Sequence, residues 1–317
     1  MLKPVIFIVG PTGVGKTAVS IDLAKQLKSE IVSADSMQIY RGMDIGTAKV
    51  TSQEMSGIQH HLVNICDVNE EFTAQDFCNR AFDALDLIFK RSSVAIVVGG
   101  TGLYVKAMIE GLAEQPSSDE RIRKRLEEEA LIIGPEKMHL RLREVDPVRA
   151  DEIHPNQLRR VIRALEIYEI SKIPASLNKH KKKSMIEKGY QPILLGLTMD
   201  RTKLYGRIDK RVEQMFEAGL LEEVLTLMPK GLSKTARQAV GYKEILNFIE
   251  ERTLKTVEQK DLCMIKELIQ QKSRNLAKRQ WTWFKKEKNI QWFDWDCYEN
   301  KENLLQAMLE KINLKSA

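Results

Sequence analysis

No apolar run in the chain approaches the roughly 20 residues that a membrane-crossing helix needs, so a bilayer span is not expected. Cysteine is scarce. Cys66, Cys78, Cys263 and Cys297 lie far apart with no C-x-x-C spacing, which argues against a zinc site or a disulfide framework and fits a reducing cytoplasm. Val5 to Val9 is bounded by Pro4 and Gly10 without a small-residue cleavage site, so it reads as a buried strand and not as a signal peptide. There is no internal repeat and no low-complexity tract. No pairing seam is visible either, and a monomer is the default expectation.

What remains is a globular composition: 317 residues, 43% hydrophobic and 30% charged, enough to bury a sizeable core in one to three domains. The net charge of +6 hints at an anionic partner. Its distribution is informative. Basic residues gather in 178–183 (NKHKKK), in 158–166 (LRRVIRALE) and in 272–288, where seven Lys or Arg stand against one Glu and alternate with Trp281, Trp283 and Phe284. Any one such run is as compatible with a solvated helix face as with nucleic acid.

Along the chain, PVIFIVGPTGVGKTAVSIDLAKQL reads as strand, glycine-rich turn and helix, EIVSADS as a second strand, and VAIVVGGTGLYVKAMIEGL as another strand and helix. Strands alternating with helices predict a parallel, doubly wound α/β sheet. From about Gln115 to Lys188 helical patterns dominate. YQPILLGLTMD restores a strand, IQWFDWD could close the sheet, and ENLLQAMLEKI could form a last helix. The expected organisation is therefore an α/β core of 1–114 and 190–317 interrupted by a helical insertion at 115–189.

Residues Gly10, Pro11, Thr12, Gly13, Val14, Gly15, Lys16 and Thr17 match G-x-x-x-x-G-K-[ST] between a strand and a helix, the context in which this pattern is a phosphate loop. Backbone N–H groups would curl around phosphate oxygens, Lys16 would add charge, and the Thr17 hydroxyl could hold Mg²⁺. Phosphate binding does not settle the reaction. A hydrolytic NTPase of this kind carries an acid at the end of a neighbouring strand, yet VAIVV runs into GGTGLY without one. That leaves a small-molecule kinase or a transferase acting on a diphosphate. Asp35 is the well-placed carboxylate on the N-terminal strand ends. It could do chemistry, hold the metal, or simply cap a turn.

Seven motifs in order carry a resemblance: GPTGVGKT, SADSMQIYRGMDIGTAK (33–49), HHLVNICDV (60–68), VGGTGLY (98–104), IHPNQLRRVIRALE (153–166), AVGYKE (239–244) and LAKRQWTWFK (276–285). Together they resemble the tRNA dimethylallyltransferase family over nearly the whole chain. The resemblance implies transfer of a dimethylallyl group from dimethylallyl diphosphate to N6 of the adenosine 3′ of the anticodon, with Mg²⁺. It also implies a P-loop NTPase-like core and an insertion domain touching the anticodon stem-loop. Carried onto this sequence, it assigns Asp35, Lys16, Thr17 and Thr101 to catalysis. It assigns Asp35, Ser36, Met37, Gln38, Thr101, Arg123, Arg159, Arg160, Val161, Ile162, Arg163, Lys278 and Arg279 to the tRNA. The family usually has an acid after HPN where this chain has Gln157, read as a local capping difference.

The chemistry is consistent with those residue types. Adenine's exocyclic amine is a poor nucleophile, and a carboxylate that accepts its proton helps by about 10²–10⁴-fold. The leaving diphosphate gains charge as the allylic C–O bond loosens, where the P-loop donors sit. Gln38 offers a donor and an acceptor to an adenine edge. Arg159, Arg160 and Arg163 can track phosphates. Of the aromatics, at least Trp283 or Phe284 is expected in the core. His60 and His61, with no third ligand, suit a structural role better than zinc, and Arg207 and Arg211, four apart on a helix, could reach the diphosphate. A P-loop small-molecule kinase, a prenyltransferase acting on free nucleotide, and an RNA-binding protein with an idle P-loop are the alternatives.

Overall fold

The computed structural model describes residues 2–112, 115–177, 183–252 and 259–312. The basic run at 178–183 lies outside them except for Lys183. The described chain divides into two compact units, 1–110 with 185–317, and 111–184.

The first unit is built on β1 (Lys3–Val9), α1 (Lys16–Leu27), β2 (Ile31–Ser33), α2 (Ser52–Met55), β3 (His60–His61), α3 (Ala74–Ile88), β4 (Ala95–Gly99) and α4 (Gly102–Glu110). The second unit holds α5 (Glu120–Val145), α6 (Pro147–Glu152) and α7 (Leu158–Ser171). The first then resumes with β5 (Tyr190–Thr198), α8 (Arg201–Glu217), α9 (Leu220–Leu227), α10 (Tyr242–Arg252), α11 (Gln259–Phe284), β6 (Gln291–Asp294) and α12 (Lys301–Ile312).

All strand pairs are parallel and the sheet order is β3-β2-β4-β1-β5-β6. Every residue from Val5 to Val9 is fully buried. Because successive side chains point to opposite faces, β1 must be covered on both, which explains its unbroken Val/Ile/Phe run. Ile6 and Ile8 pack with Val19 and Leu23 of α1 and with Leu304 and Met308 of α12. The chain leaves β1 for β2 on one side and later enters β5 on the other, so strand order reverses at β1. The crevice at its C-terminal end is where such sheets place ligands.

Two boundaries differ from the sequence reading. The long helical pattern after Asp200 is split by Gly219, whose φ of 95° only glycine adopts cheaply, into α8 and α9. The chain re-enters the first unit at Met185, earlier than residue 190. Met185 is fully buried, and its N–H donates to the Ile109 carbonyl at 3.2 Å. The second unit closes around Leu126, Met138, Leu142, Val161 and Leu165, with a break in α5 at Gly134 before Pro135. Among the described residues no helix is long and apolar enough to cross a membrane.

Candidate active site

The loop after β1 has the left-handed glycines a phosphate cradle needs, Gly13 at φ 81° and Gly15 at φ 98°. Gly15 is the N-cap of α1, so the helix begins at Lys16 with its N–H groups directed into the loop. Lys16 Nζ donates to the carbonyls of Gly10 at 3.0 Å and Pro11 at 2.8 Å. Burial pushes its ammonium down to about 8 against the opposing pull of Asp35. Thr17 is exposed, and its hydroxyl makes no hydrogen bond to a described residue.

Asp35 follows β2. Its Oδ1 accepts from the N–H groups of Met37 at 2.9 Å and Gln38 at 3.4 Å, so one oxygen caps the turn, and among the described residues nothing donates to the other. The capping and chemical readings are thus compatible, one oxygen for each. Thr101, at the turn between β4 and α4, fixes the same segment: its Oγ1 accepts from Ser36 N at 3.1 Å and lies 3.3 Å from Ser36 Oγ.

A pocket in the first unit joins these loops. Thr12, Lys16, Asp35, Met37, Thr47 and Gly100 line it together with Arg211 of α8 and Gln280 of α11. Ile208, Val212, Met215, Val240, Ile269 and Leu276 give it an aliphatic side, with Ser273 among them. Its lining therefore combines cations beside a helix N-terminus, one carboxylate, a few neutral polar groups and an aliphatic portion. Arg211 reaches Thr12 Oγ1 at 3.4 Å, and burial lowers its pKa as it lowers that of Lys16, with Asp35 opposing in both cases. The Arg207 guanidinium lies 3.7 Å from where a Cβ on Gly15 would stand. The i,i+4 arginine pair thus faces the phosphate loop.

The remaining assigned residues divide. Gln38 Nε2 donates to the carbonyls of Thr47 at 3.4 Å and Ala48 at 3.3 Å, which commits its donor locally and leaves its oxygen as the available acceptor. Lys278 and Arg279 are exposed on α11, and Arg159 and Arg160 on α7. Val161 and Ile162 are 0% and 5% exposed, and their side chains pack in the core of the second unit. Arg123 and Arg163 are both partly buried and engaged within the second unit. Both donate to the fully buried Glu166 at 2.9 Å, which also accepts from Asp119 N. A buried carboxylate needs such partners, and their pull holds it below the usual carboxylate range. Gln157 is the N-cap residue of α7 but supplies no side-chain cap; its oxygen accepts from Arg160 instead. His60 and His61 form the edge strand β3, with His61 Nε2 2.6 Å from Glu30, and no three-residue metal cluster occurs among the described residues. Phe284 is buried while Trp283 is 42% exposed.

Sequence reasoning missed Gln280, which looked like one more residue of a cationic run, and Glu223. The latter accepts from the N–H groups of Asp44 at 2.9 Å, Ile45 at 2.8 Å and Gly46 at 3.1 Å, and from the Tyr242 hydroxyl. For Gln280 the available signal was Gly100, where a Cβ would meet its side-chain amide.

The sequence model of the IPP transferase family matches residues 38–287. The chain belongs to that family. Among similar proteins is the tRNA dimethylallyltransferase of Symbiobacterium thermophilum, 43% identical over 99% of this chain and 97% of the relative. That of Oceanobacillus iheyensis is 42% identical over 92% and 91%. Among solved structures, the tRNA isopentenylpyrophosphate transferase of Bacillus halodurans superposes with a TM-score of 0.68 at 39% identity, covering 98% of this chain and 97% of that one. A eukaryotic dimethylallyltransferase acting on tRNA gives 0.77 at 29% identity, covering 97% and 78%. An IPP transferase fold thus accounts for the P-loop core without any need for an NTPase acid after β4.

Proposed function

We propose that this IPP transferase family member is a tRNA dimethylallyltransferase, moving a dimethylallyl group from dimethylallyl diphosphate to N6 of the adenosine 3′ of the anticodon. The observation that carries the reading is the pocket that Lys16, Arg211 and Asp35 share with a group of aliphatic side chains.

The diphosphate would lie in the P-loop against the backbone N–H groups, Lys16 and Arg211, and the short alkenyl chain against the aliphatic residues. The N6 lone pair forms the bond to the allylic carbon while the C–O bond breaks and its electron pair leaves with the diphosphate. The uncommitted oxygen of Asp35 takes the amine proton, and the amide oxygen of Gln38 can accept from the same amine. Charge growing on the leaving group meets donors already in position. Thr17 fits a Mg²⁺ ligand, because its hydroxyl is exposed beside Lys16 and this ion typically binds through few protein groups plus phosphate oxygens. When bound, that ion would neutralise charge on the diphosphate. The flipped base and the rest of the loop need contacts of their own, for which exposed Lys278, Arg279, Arg159 and Arg160 are candidates. A cytoplasmic monomer is the expected setting.

The test compares intact tRNA, an anticodon stem-loop and AMP as acceptors with dimethylallyl diphosphate and Mg²⁺, followed by digestion and detection of N6-dimethylallyladenosine. Absence of product on either RNA, or equal use of AMP, would sink the reading. Asp35→Asn preserves the acceptor that caps the turn but not the base, so kcat should fall about 10²–10⁴-fold with diphosphate affinity retained.

A further inference from the structure

The side-chain amide of Gln280 joins two loops that lie far apart in sequence. Its Oε1 accepts from the backbone N–H of Thr12 at 2.8 Å, and its Nε2 donates to the carbonyl of Gly100 at 3.1 Å. Thr12 belongs to the phosphate loop. Gly100 opens the turn whose next residue, Thr101, holds Ser36 and so the segment carrying Asp35. A Cβ on Gly100 would stand 2.3 Å from Gln280 Nε2 and 3.1 Å from its Cδ, so the bridge exists only because residue 100 is glycine. One helical turn on, Trp283 packs against Gly102 in the same way, and α11 thereby docks on this turn with two side chains of one face.

We propose that Gln280 is a positioning residue that sets the separation between the diphosphate cradle and the Asp35 turn. The inference rests on the prenyl-transfer reading above. Bond formation requires reacting atoms about 3–3.5 Å apart, and a misplacement of about 1 Å costs roughly 100-fold. A primary amide is what the bridge demands, since one end must accept and the other donate. An ionised carboxylate at this position would still accept from Thr12 but would repel the Gly100 carbonyl. A protonated carboxyl would satisfy both.

That difference supplies the experiment. Gln280→Ala should lower kcat roughly 10–100-fold while leaving diphosphate affinity within about threefold. In Gln280→Glu, turnover relative to wild type should rise as pH falls from about 7 to about 4, through the carboxyl's own titration, because protonation restores the donor to Gly100. The ratio removes any titration common to both proteins. A flat ratio with an active wild type would overturn the positioning role, as would a Gln280→Ala loss confined to diphosphate affinity. Should Gln280→Ala unfold, the Gln280→Glu pH profile decides alone. A wild type that forms no product would instead overturn the prenyl-transfer reading, and the inference with it.

Discussion

Lys16 spends its ammonium on two loop carbonyls and sits in surroundings that lower its pKa to about 8. A bound diphosphate favours the charged form and must raise that value. By linkage, affinity for inorganic diphosphate is then greatest below pH 8 and declines as pH rises from 8 towards the raised value of the complex. Titration calorimetry between about pH 6.5 and 9.5 should show up to tenfold weakening per unit over that window. Because diphosphate also titrates in this range, the profile is read against a Lys16→Met variant, and identical pH profiles for the two proteins would mean that Lys16 does not meet the ligand. Asp35 makes the complementary point, since a single carboxylate can cap its own turn with one oxygen and leave the other for chemistry.

At the scale of elements, the 40–49 segment shows how a loop without regular structure becomes rigid. Glu223 of α9 collects three successive backbone N–H groups at 44–46, and Lys49 Nζ, itself buried, donates to the Tyr40 carbonyl, Asp44 Oδ1 and Asn64 Oδ1 at 2.5, 2.7 and 2.6 Å. Burial lowers the Lys49 pKa while Asp44 opposes. Gln38 rests on the Thr47 and Ala48 carbonyls, so this anchoring reaches the pocket. Glu223→Ala orphans three N–H donors and the Tyr242 hydroxyl. We expect a loss of about 2–4 kcal/mol in thermal unfolding and faster amide exchange at Asp44, Ile45 and Gly46. Unchanged exchange at those three amides would refute the anchoring.

For the whole molecule, a parallel sheet reversing at β1 fixes where ligands go, while net charge +6 bears on what arrives. Exposed Lys278 and Arg279 are expected to act through phosphates. Replacing both with Ala should reduce the slope of log K against log salt for tRNA by roughly 2. An unaltered slope would place their role elsewhere. Arg123→Ala should behave differently, because it strips a partner from buried Glu166 and so destabilises the second unit.

The strands β1, β2, β4, β5 and β6, the glycine-rich loop after β1 and the candidacy of Asp35 were legible in the sequence, because periodicity, glycine placement and the G-x-x-x-x-G-K-[ST] spacing are short-range properties. The two-residue β3 and the helix α3 went unread. What only the tertiary structure decided are the partnerships across distance. Arg123 and Arg163 look alike as exposed cations until Glu166 appears between them, and Gln280 and Glu223 become meaningful only when the folded chain brings backbone groups to them. Sequence specifies which groups can donate, accept or carry charge. Packing decides which of those capacities are already spent, and therefore which remain for a substrate.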